Sequence, residues 1–294
     1  DIYTERAVDI IRERANSSSK PLFLYLSHQS VHSASRRQPL QVPQDLINRH
    51  RDVQDLDRRT FVGMVSALDD SVGEVMAALK MADILNNTIV VFTTDNGGST
   101  RGTAPGSSID YSVGSNWPLR GWGDVSFHGS QQAQTPNIDL LASTGIILNN
   151  YYTSPLCSPS RSAILTGYHP IHTGTKHDGF QGAQPFGTPL QYKLLPQYLK
   201  ELGYETHAVG KWHQGFHRRE YLPTRRGFDS HFGDWTGQSD YYDRTSAENW
   251  WAMDFRNGEL PANTTEYEGR YATDIYTERA VDIIRERANS SSKP

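Results

Sequence analysis

The chain is organised around the stretch Pro-Leu-Cys-Ser-Pro-Ser-Arg-Ser-Ala-Ile-Leu-Thr-Gly, residues 155–167. It contains Cys157, the only cysteine of the 294 residues, which therefore cannot take part in an intrachain disulfide. A proline is tolerated in the first turn of a helix and a glycine is typical just after its end, so Pro159 and Gly167 predict a helix that begins near Cys157. The N–H groups and the dipole at such a helix N-terminus favour an anion.

Arg161 lies about one helical turn after Cys157, close enough to neutralise negative charge there. By themselves the two residues decide little, because a lone cysteine is most often a small buried hydrophobe. A lone arginine is most often solvated. The stretch alone therefore leaves a reactive site and a structural helix both open.

A second informative stretch is Thr-Ile-Val-Val-Phe-Thr-Thr-Asp-Asn-Gly-Gly, residues 88–98. Its β-branched residues predict a strand at Thr88–Thr94, which would deliver Asp95 and Asn96 at its end. Carboxylate and amide oxygens are hard donors suited to Ca²⁺ or Mg²⁺. Taken alone, Asp-Asn-Gly-Gly is most often a turn.

Two more predicted strands end in candidate groups. Lys211 and His213 follow the strand Glu205–Gly210, and their spacing of two places both side chains on one side of an extended chain. His32 follows the strand Leu22–Leu26. Strand ends in an open parallel sheet gather ligand-binding residues. Each group would otherwise be a solvated lysine or a structural histidine.

The spacing Cys-x-Pro-x-Arg, followed by Ser-x-x-x-Leu-Thr-Gly, resembles the modification motif of type I sulfatases. Asp-Asn-Gly-Gly, Gly-Lys-Trp-His and Ser-Val-His resemble three further motifs of that family, and residues 116–121, 123–129, 222–229 and 239–242 are similar to its arylsulfatase B-like branch. The resemblance covers nearly the whole chain. It implies an α/β fold, an alkaline-phosphatase-like sulfatase catalytic domain whose mostly parallel central sheet is flanked by helices.

The resemblance also implies a modified residue and a metal ion. In that family a formylglycine-generating enzyme oxidises the cysteine at the position of Cys157 to formylglycine. Asp95, Asn96 and the modified Cys157 are then expected as ligands of one Ca²⁺ ion.

The remaining catalytic roles follow from the same resemblance. Lys211 and His32 are expected to contact the sulfate, and His32 to protonate the leaving oxygen. His213 is expected to hold the modified residue, and Arg161 to stabilise the developing charge. Gln214 stands where related enzymes usually have leucine, and residues 33–38 resemble an insertion that is expected to displace His32.

The order of the chain departs from that of the family. Residues 1–21 recur unchanged as residues 274–294, and their pattern predicts an amphipathic helix with a serine-rich exit. The native order would start near Trp122, run to Pro294 and resume at Leu22. We therefore expect a fragment in which residues 1–121 form the C-terminal part of one catalytic domain and residues 122–294 its N-terminal part.

The junction before Trp122 also removes a part of the family's domain. Sulfatases begin with a central strand that ends in two aspartates, whereas Trp122 here follows Leu119-Arg120-Gly121. The lysine expected after Gly121 is missing as well. The sheet is therefore expected to lack its first strand, and Ca²⁺, which takes about 6–8 oxygen ligands, to lack two carboxylates. Asp69-Asp70 lies inside a predicted helix and is interpreted as its solvated surface.

Other elements are predicted from hydrophobic periodicity. Helices are expected at Asp57–Ala82, Thr135–Thr144 and Leu194–Leu202, and a further strand at Gly145–Tyr152.

Composition and charge exclude some partners and suggest a compartment. A net charge of −4 without a basic block argues against nucleic acid, and no apolar run is long enough to span a bilayer. Neither end looks like a signal peptide. Sequons at Asn16, Asn86, Asn263 and Asn289 permit glycosylation, and the resemblance implies a lysosomal or secreted protein.

Two functions of different classes follow. The first is a sulfuric ester hydrolase acting on aryl or N-acetylgalactosamine sulfates, N-acetylgalactosamine-4-sulfates among them, or on related glycosaminoglycan sulfates. The alternative is a non-catalytic, rearranged or truncated sulfatase paralogue that binds sulfated glycans, or a fragment of a misassembled gene. A metal-dependent phosphatase on the same fold is the weakest hypothesis, because it has no use for Cys-x-Pro-x-Arg.

Overall fold

The computed structural model describes residues 8, 21–34, 38–81, 84–97, 122–175, 179–182, 184–246, 248 and 252–262. Its centre is a five-stranded sheet whose strands lie side by side in chain order. The strands are β1 (Leu22–Ser27), β2 (Glu205–Gly210), β3 (Ser230–Gly233), β4 (Arg256–Asn257) and β5 (Leu260–Pro261). The first three are parallel, and β4 and β5 are added by antiparallel pairing.

The register of β1 and β2 decides where the functional residues meet. Leu22 lies opposite Glu205, and Ser27 lies opposite Gly210. Both strands therefore end at the same edge of the sheet. The chain segments that follow them leave this edge side by side, and the Lys211 N–H donates to the Ser27 carbonyl at 3.2 Å.

Helices cover the two faces of the sheet. They are α1 (Gln44–Arg49), α2 (Leu56–Met81), α3 (Pro136–Thr144), α4 (Cys157–Thr166), α5 (Pro170–Thr173) and α6 (Leu195–Glu201). Short 3₁₀ turns lie at Leu85–Asn87, Trp122–Asp124, Ser126–His128, Arg219–Tyr221 and Pro223–Arg225. Among the described residues, no helix is both long enough and apolar enough to cross a membrane.

The core is divided by the sheet, as the period of two in a strand requires. On one face Leu22, Leu24 and Leu26 pack with buried residues of α1 and α2, such as Leu46 and Met64. On the other face, Phe23 and Tyr25 pack with Leu165 of α4 and with the buried residues Leu194, Trp212 and Phe228. Helices on both faces of a mostly parallel sheet confirm the predicted α/β class.

The helix predicted from residues 155–167 is confirmed in detail. Helix α4 begins at Cys157 itself, and Gly167 ends it with φ 74. A residue with a side chain adopts this left-handed conformation only at a cost, which explains the glycine. The other predicted helices are also found, within a residue or two of their expected bounds.

Two predicted strands are wrong. Residues 88–94 and 145–152 belong to no ladder of the described sheet, and Ile89 and Ile146 are 92% and 90% exposed. Their β-branched composition suits a pleated surface, but a strand also needs a neighbour for its N–H and C=O groups. Within the described sheet β1 is an edge strand. Strand-like sequences that form no strand are what a missing neighbour leaves behind.

The interpretation of Asp69 as solvated helix surface is also wrong. Asp69 is 2% exposed, and its carboxylate accepts hydrogen bonds from the N–H groups of Asn137 and Ile138 at 3.2 and 2.8 Å. It therefore satisfies the first N–H groups of α3, which have no partner within that helix. Its neighbour Asp70 is exposed and pairs with Arg49 at 2.8 Å, as a surface residue does.

Two expectations lie largely outside the described residues. Of the repeated segments 1–21 and 274–294, only Val8 and Pro21 are described, and Val8 has a helical backbone. The division of the chain at residues 121 and 122 stays a prediction.

Candidate active site

The candidate site lies where the ends of β1 and β2 meet the N-terminus of α4. Cys157 is the first residue of α4, and its sulfur lies 3.2 Å from His213 Nδ1. The other ring nitrogen, His213 Nε2, lies 2.7 Å from the carbonyl oxygen of Phe180. Because a carbonyl can only accept, Nε2 carries the hydrogen, and Nδ1 is the nitrogen that faces Cys157.

The backbone holds His213 in an uncommon conformation. Its φ is 53, which a residue with a side chain rarely adopts. Gly237 lies against the ring, since a Cβ added there would sit 2.4 Å from His213 Cε1. The Gly237 N–H donates to Glu248 at 2.6 Å, which fixes this backbone in place. The imidazole is thus oriented by its hydrogen bond to Phe180, by the backbone of His213 and by the contact with Gly237.

Lys211 brings a positive charge into the same space. Its side chain is 4% exposed, and Nζ has no hydrogen-bond partner in the part of the chain that the structure describes. A buried ammonium without a partner is costly, so the position favours an anion beside it. Burial opposes ionisation of the Cys157 thiol, but the charges of Lys211 and His213 and hydrogen bonds from His213 and His32 lower its pKa to about 2.

Arg161 joins α4 to three other segments. Its Nε donates to Asp95 at 2.7 Å, and one terminal nitrogen donates to the hydroxyl of Ser27 and, at 3.0 Å, to the carbonyl of Lys211. The Arg161 side chain is buried, as are Ser27 and Lys211, whereas the Asp95 side chain is 21% exposed. Burial raises the pKa of Asp95, but the charges of Arg161 and Lys211 outweigh it and hold that pKa below its ordinary value.

Displacement of His32 by the inserted residues stays a prediction, but the histidine lies near Cys157. His32 is within hydrogen-bonding reach of the Cys157 side chain. Its Nδ1 lies 2.8 Å from the carbonyl oxygen of Ser33, at the start of the inserted residues. The structure thus brings together all five residues for which the sequence predicted a catalytic role: Cys157, Arg161, Lys211, His213 and His32.

The residues predicted to bind Ca²⁺ do not form a complete metal site among the described residues. Asp95 reaches the site, where its carboxylate is engaged by Arg161, whereas the Asn96 amide donates to the carbonyl of its neighbour Gly97 at 3.0 Å. Among the described residues, no group of three or more His, Cys, Asp or Glu side chains could hold a metal ion. Since Ca²⁺ takes about 6–8 oxygen ligands, these residues do not by themselves fit it.

Sequence reasoning missed the residues that hold the candidate catalytic side chains in place. The Ser158 hydroxyl accepts from the Phe180 N–H at 2.8 Å, so the loop that carries the Phe180 carbonyl is tied to α4. Gln214, noted only as a departure, is buried and donates to the Ser158 carbonyl at 3.2 Å. Gly237 and Ser27 complete this set. No local pattern marks such residues, because their partners lie far away in the chain.

Comparison with known proteins identifies the family. The sequence model of the family described as Sulfatase matches residues 1–121 and 112–294. Arylsulfatase J of Mus musculus is 43% identical over 166 residues, 56% of this chain and 28% of that protein. N-acetylgalactosamine-6-sulfatase of Homo sapiens is 36% identical over 182 residues, 57% of this chain and 34% of that protein.

A solved structure is similar over part of the fold. The crystal structure of Ps i-CgsB is 29% identical, with a TM-score of 0.48 over 58% of this chain and 40% of that one. The chain matches about a third or less of the length of the two curated relatives.

Proposed function

This chain belongs to the Sulfatase family, and on that premise we propose that the site around Cys157 serves the hydrolysis of sulfate esters. The proposal requires that Cys157 be oxidised to formylglycine by a formylglycine-generating enzyme. The Cys157 sulfur then marks the position that the oxygens of formylglycine would take.

The buried ammonium of Lys211 is the observation that carries the proposal. Its Nζ finds no partner among the described residues, although the side chain is 4% exposed. The N-terminus of α4 opens toward the same space, with Cys157 as its first residue. A buried cation and a helix N-terminus together favour an oxyanion, and a sulfate group provides one.

The residues of this chain supply the remaining chemistry. Formylglycine, once formed and hydrated, supplies the hydroxyl oxygen that attacks the sulfur of the ester. Lys211 stabilises the negative charge that develops on the sulfate oxygens. His32 donates a proton to the alcohol oxygen as it leaves, and His213, through Nδ1, takes up the proton released when the sulfate departs. Arg161 keeps the ends of β1 and β2 against α4.

The family resemblance implies a calcium ion at this site. Asp95 and Asn96 are its candidate ligands, but among the described residues no group of three or more His, Cys, Asp or Glu side chains could hold a metal ion. Any Ca²⁺ requirement therefore depends on ligands beyond these two.

The names of the relatives support a substrate class. They are an arylsulfatase and an N-acetylgalactosamine-6-sulfatase. We therefore propose aryl sulfates or N-acetylgalactosamine sulfates of the glycosaminoglycan type as substrates, in a lysosomal or secreted protein. The exposed sequon residue Asn86, in the 3₁₀ turn Leu85–Asn87, supports glycosylation on a secretory route.

The small number of candidate metal ligands in the described part favours a second function. Without a group of three or more His, Cys, Asp or Glu side chains in the described part, the chain would keep an anion site but lack the metal. A sulfatase paralogue of this kind would bind sulfated glycans without cleaving them.

One experiment separates the two functions. The chain is produced together with a formylglycine-generating enzyme, and the tryptic peptide of residues 121–161 is examined by mass spectrometry for conversion of Cys157. The same protein is assayed on 4-nitrophenyl sulfate and 4-nitrophenyl phosphate, with and without added Ca²⁺. The hydrolase predicts sulfate release that is lost in Cys157→Ala.

The controls decide among the remaining outcomes. Full conversion without hydrolysis, combined with retention on a heparin column that Lys211→Met abolishes, would favour the glycan-binding paralogue. Hydrolysis of the phosphate in preference to the sulfate would overturn both. Conversion is measured independently of activity, so a failure of maturation is not mistaken for a failure of the site.

A further inference from the structure

Gln238, in the loop that follows β3, donates to the backbone directly after His32. Its Nε2 lies 3.0 Å from the carbonyl oxygen and 3.1 Å from the hydroxyl of Ser33, and it also contacts the carbonyl of Ala34. Because a carbonyl oxygen can only accept, the nitrogen of the side-chain amide faces these groups. Gln238 is half-buried, and its hydrogen bonds are therefore partly shielded from water. The glutamine thus fixes the direction in which the Ser33 carbonyl points.

The same carbonyl holds the ring of His32. His32 Nδ1 lies 2.8 Å from the Ser33 carbonyl oxygen. Since that oxygen accepts, Nδ1 carries the hydrogen in this contact, and Nε2 is the ring nitrogen that is left to face Cys157. The His32 side chain is within hydrogen-bonding reach of Cys157. The Ser33 carbonyl therefore accepts from two side chains, the imidazole beside the reactive residue and the amide of Gln238.

Two further contacts join the same segments without reaching this carbonyl. The Gln29 amide donates to the Ser239 carbonyl at 2.6 Å, and the Tyr241 hydroxyl donates to the His32 carbonyl at 3.3 Å. Both contacts fix the position of the backbone, and neither restricts the rotation of the imidazole. Of the three contacts, only that of Gln238 acts on the group that binds Nδ1. Loss of the Gln238 amide should therefore change the orientation of the ring more than the fold.

We propose that Gln238 is a positioning residue, which keeps Nε2 of His32 toward Cys157 by fixing the Ser33 carbonyl. The consequence for catalysis rests on the proposed sulfate ester hydrolysis, in which His32 protonates the leaving alcohol. With Nδ1 held by the carbonyl, the proton passes from Nε2 to the alcohol oxygen as the bond between that oxygen and sulfur breaks. Gln238 acts through Ser33 and need not touch the substrate.

Substrates with different leaving groups separate this role from a merely structural one. Weakly basic 4-nitrophenolate departs without a proton, whereas the departure of phenolate depends more on a general acid. Gln238→Met removes the donor and keeps a side chain of similar length. In protein with Cys157 converted to formylglycine, we expect the variant to lower kcat on phenyl sulfate about 10-fold more than kcat on 4-nitrophenyl sulfate, with KM nearly unchanged.

The matched control is Gln54→Met. Gln54 is exposed, and its amide donates to the carbonyl of Asp52 at 3.4 Å. The same substitution there should leave both kcat values as they are.

A second measurement determines the orientation of the ring without turnover. In the unconverted chain, long-range ¹H–¹⁵N spectra show which ring nitrogen of each neutral histidine carries the hydrogen. The His32 signals are those that disappear in His32→Gln. We expect the hydrogen on Nδ1 in the wild-type chain and in Gln54→Met, and a mixture of the two tautomers in Gln238→Met.

The contrary results are distinct from one another. Equal losses of kcat on the two esters, or no loss on either, would overturn the positioning role. An unchanged His32 tautomer in Gln238→Met would overturn it as well. If the converted wild-type chain hydrolyses neither ester, the proposed function fails, and the tautomer alone decides whether Gln238 holds His32. Where thermal unfolding shows that Gln238→Met does not fold, Gln238→Ala repeats both measurements.

Discussion

His213 is positioned so that Nδ1 lies 3.2 Å from the sulfur of Cys157, while Nε2 is occupied by the Phe180 carbonyl at 2.7 Å. The hydrogen bond to a carbonyl fixes which nitrogen faces the reactive residue. This orientation depends on a glycine that lies directly against the ring, and the first expectation follows from that contact.

Gly237→Ala is expected to slow turnover strongly while leaving the fold largely intact. The added carbon would lie 2.4 Å from His213 Cε1, so the ring must move away from Cys157. We expect a loss in kcat of about 100-fold, the effect of losing one general acid or base. Gly179→Ala is the matched control, because its added carbon would come no closer than 3.6 Å to the Ser158 hydroxyl. Equal kcat values for the two variants would contradict the role assigned to this contact.

Lys211→Met is expected to stabilise the fold and to weaken anion binding at once. In a Cys157→Ala background, the substitution removes a buried ammonium without a hydrogen-bond partner in the described part of the chain, and the unfolding free energy should rise by about 1–3 kcal/mol. Inorganic sulfate should stabilise the protein that keeps Lys211 but should not stabilise Lys211→Met. Denaturant unfolding with and without sulfate measures both effects.

The control for Lys211 is a surface lysine. Lys200→Met removes an exposed side chain that pairs with Asp229, and it should change neither quantity appreciably. Sulfate that stabilises Lys211→Met as strongly as the lysine chain would show that the anion binds elsewhere.

Arg161→Lys is expected to destabilise the protein by about 2 kcal/mol, because the lysine keeps the charge but loses hydrogen bonds that the buried guanidinium makes. The guanidinium contacts Asp95, Ser27 and the Lys211 carbonyl together, and an ammonium cannot reproduce that planar set. Arg49→Lys, at an exposed pair with Asp70, should cost less than about 1 kcal/mol. Denaturant unfolding of both variants tests the comparison, and similar losses would argue against a joining role for Arg161.

Acid should destabilise the fold through His231. Burial lowers the pKa of this histidine to about 4, against the opposing effect of its hydrogen bond to the Gly210 carbonyl. Between pH 6.5 and about pH 4, this histidine is protonated in the unfolded chain but stays neutral in the folded chain. The free energy of unfolding is therefore highest above pH 6.5 and falls as the pH is lowered toward 4. The loss should reach roughly 3 kcal/mol.

His231→Gln tests the source of this loss. Glutamine does not titrate, so its unfolding free energy should fall less than that of the wild-type chain between pH 7 and pH 4. Denaturant unfolding across this range gives both curves. Parallel curves would assign the acid sensitivity to other groups.

Local patterns were sufficient for the helices of the described part of the chain. The proline and glycine around Cys157 predicted both ends of α4, because the start and stop of a helix depend on residues within one turn of them. The period of two in β1 likewise predicted its two apolar faces. Family motifs then identified the five catalytic candidates, which the structure brings together.

Strand formation and the hydrogen bonds of buried side chains could not be predicted in this way. Residues 88–94 have the composition of a strand, yet a strand exists only where another strand supplies the other half of its hydrogen bonds. Asp69 was misread because its partners, the first N–H groups of α3, lie 68 and 69 positions away in sequence.

The amino-acid order was enough to decide where helices start, which residue types are chemically able to act, and to which family the motifs point. It was enough because these properties depend on neighbours along the chain. Which nitrogen of His213 faces Cys157, which carboxylate Arg161 engages and whether an extended segment becomes a strand were decided only by tertiary structure. In each of these cases the interaction that decides the outcome joins segments that are far apart in sequence and meet only in the folded chain.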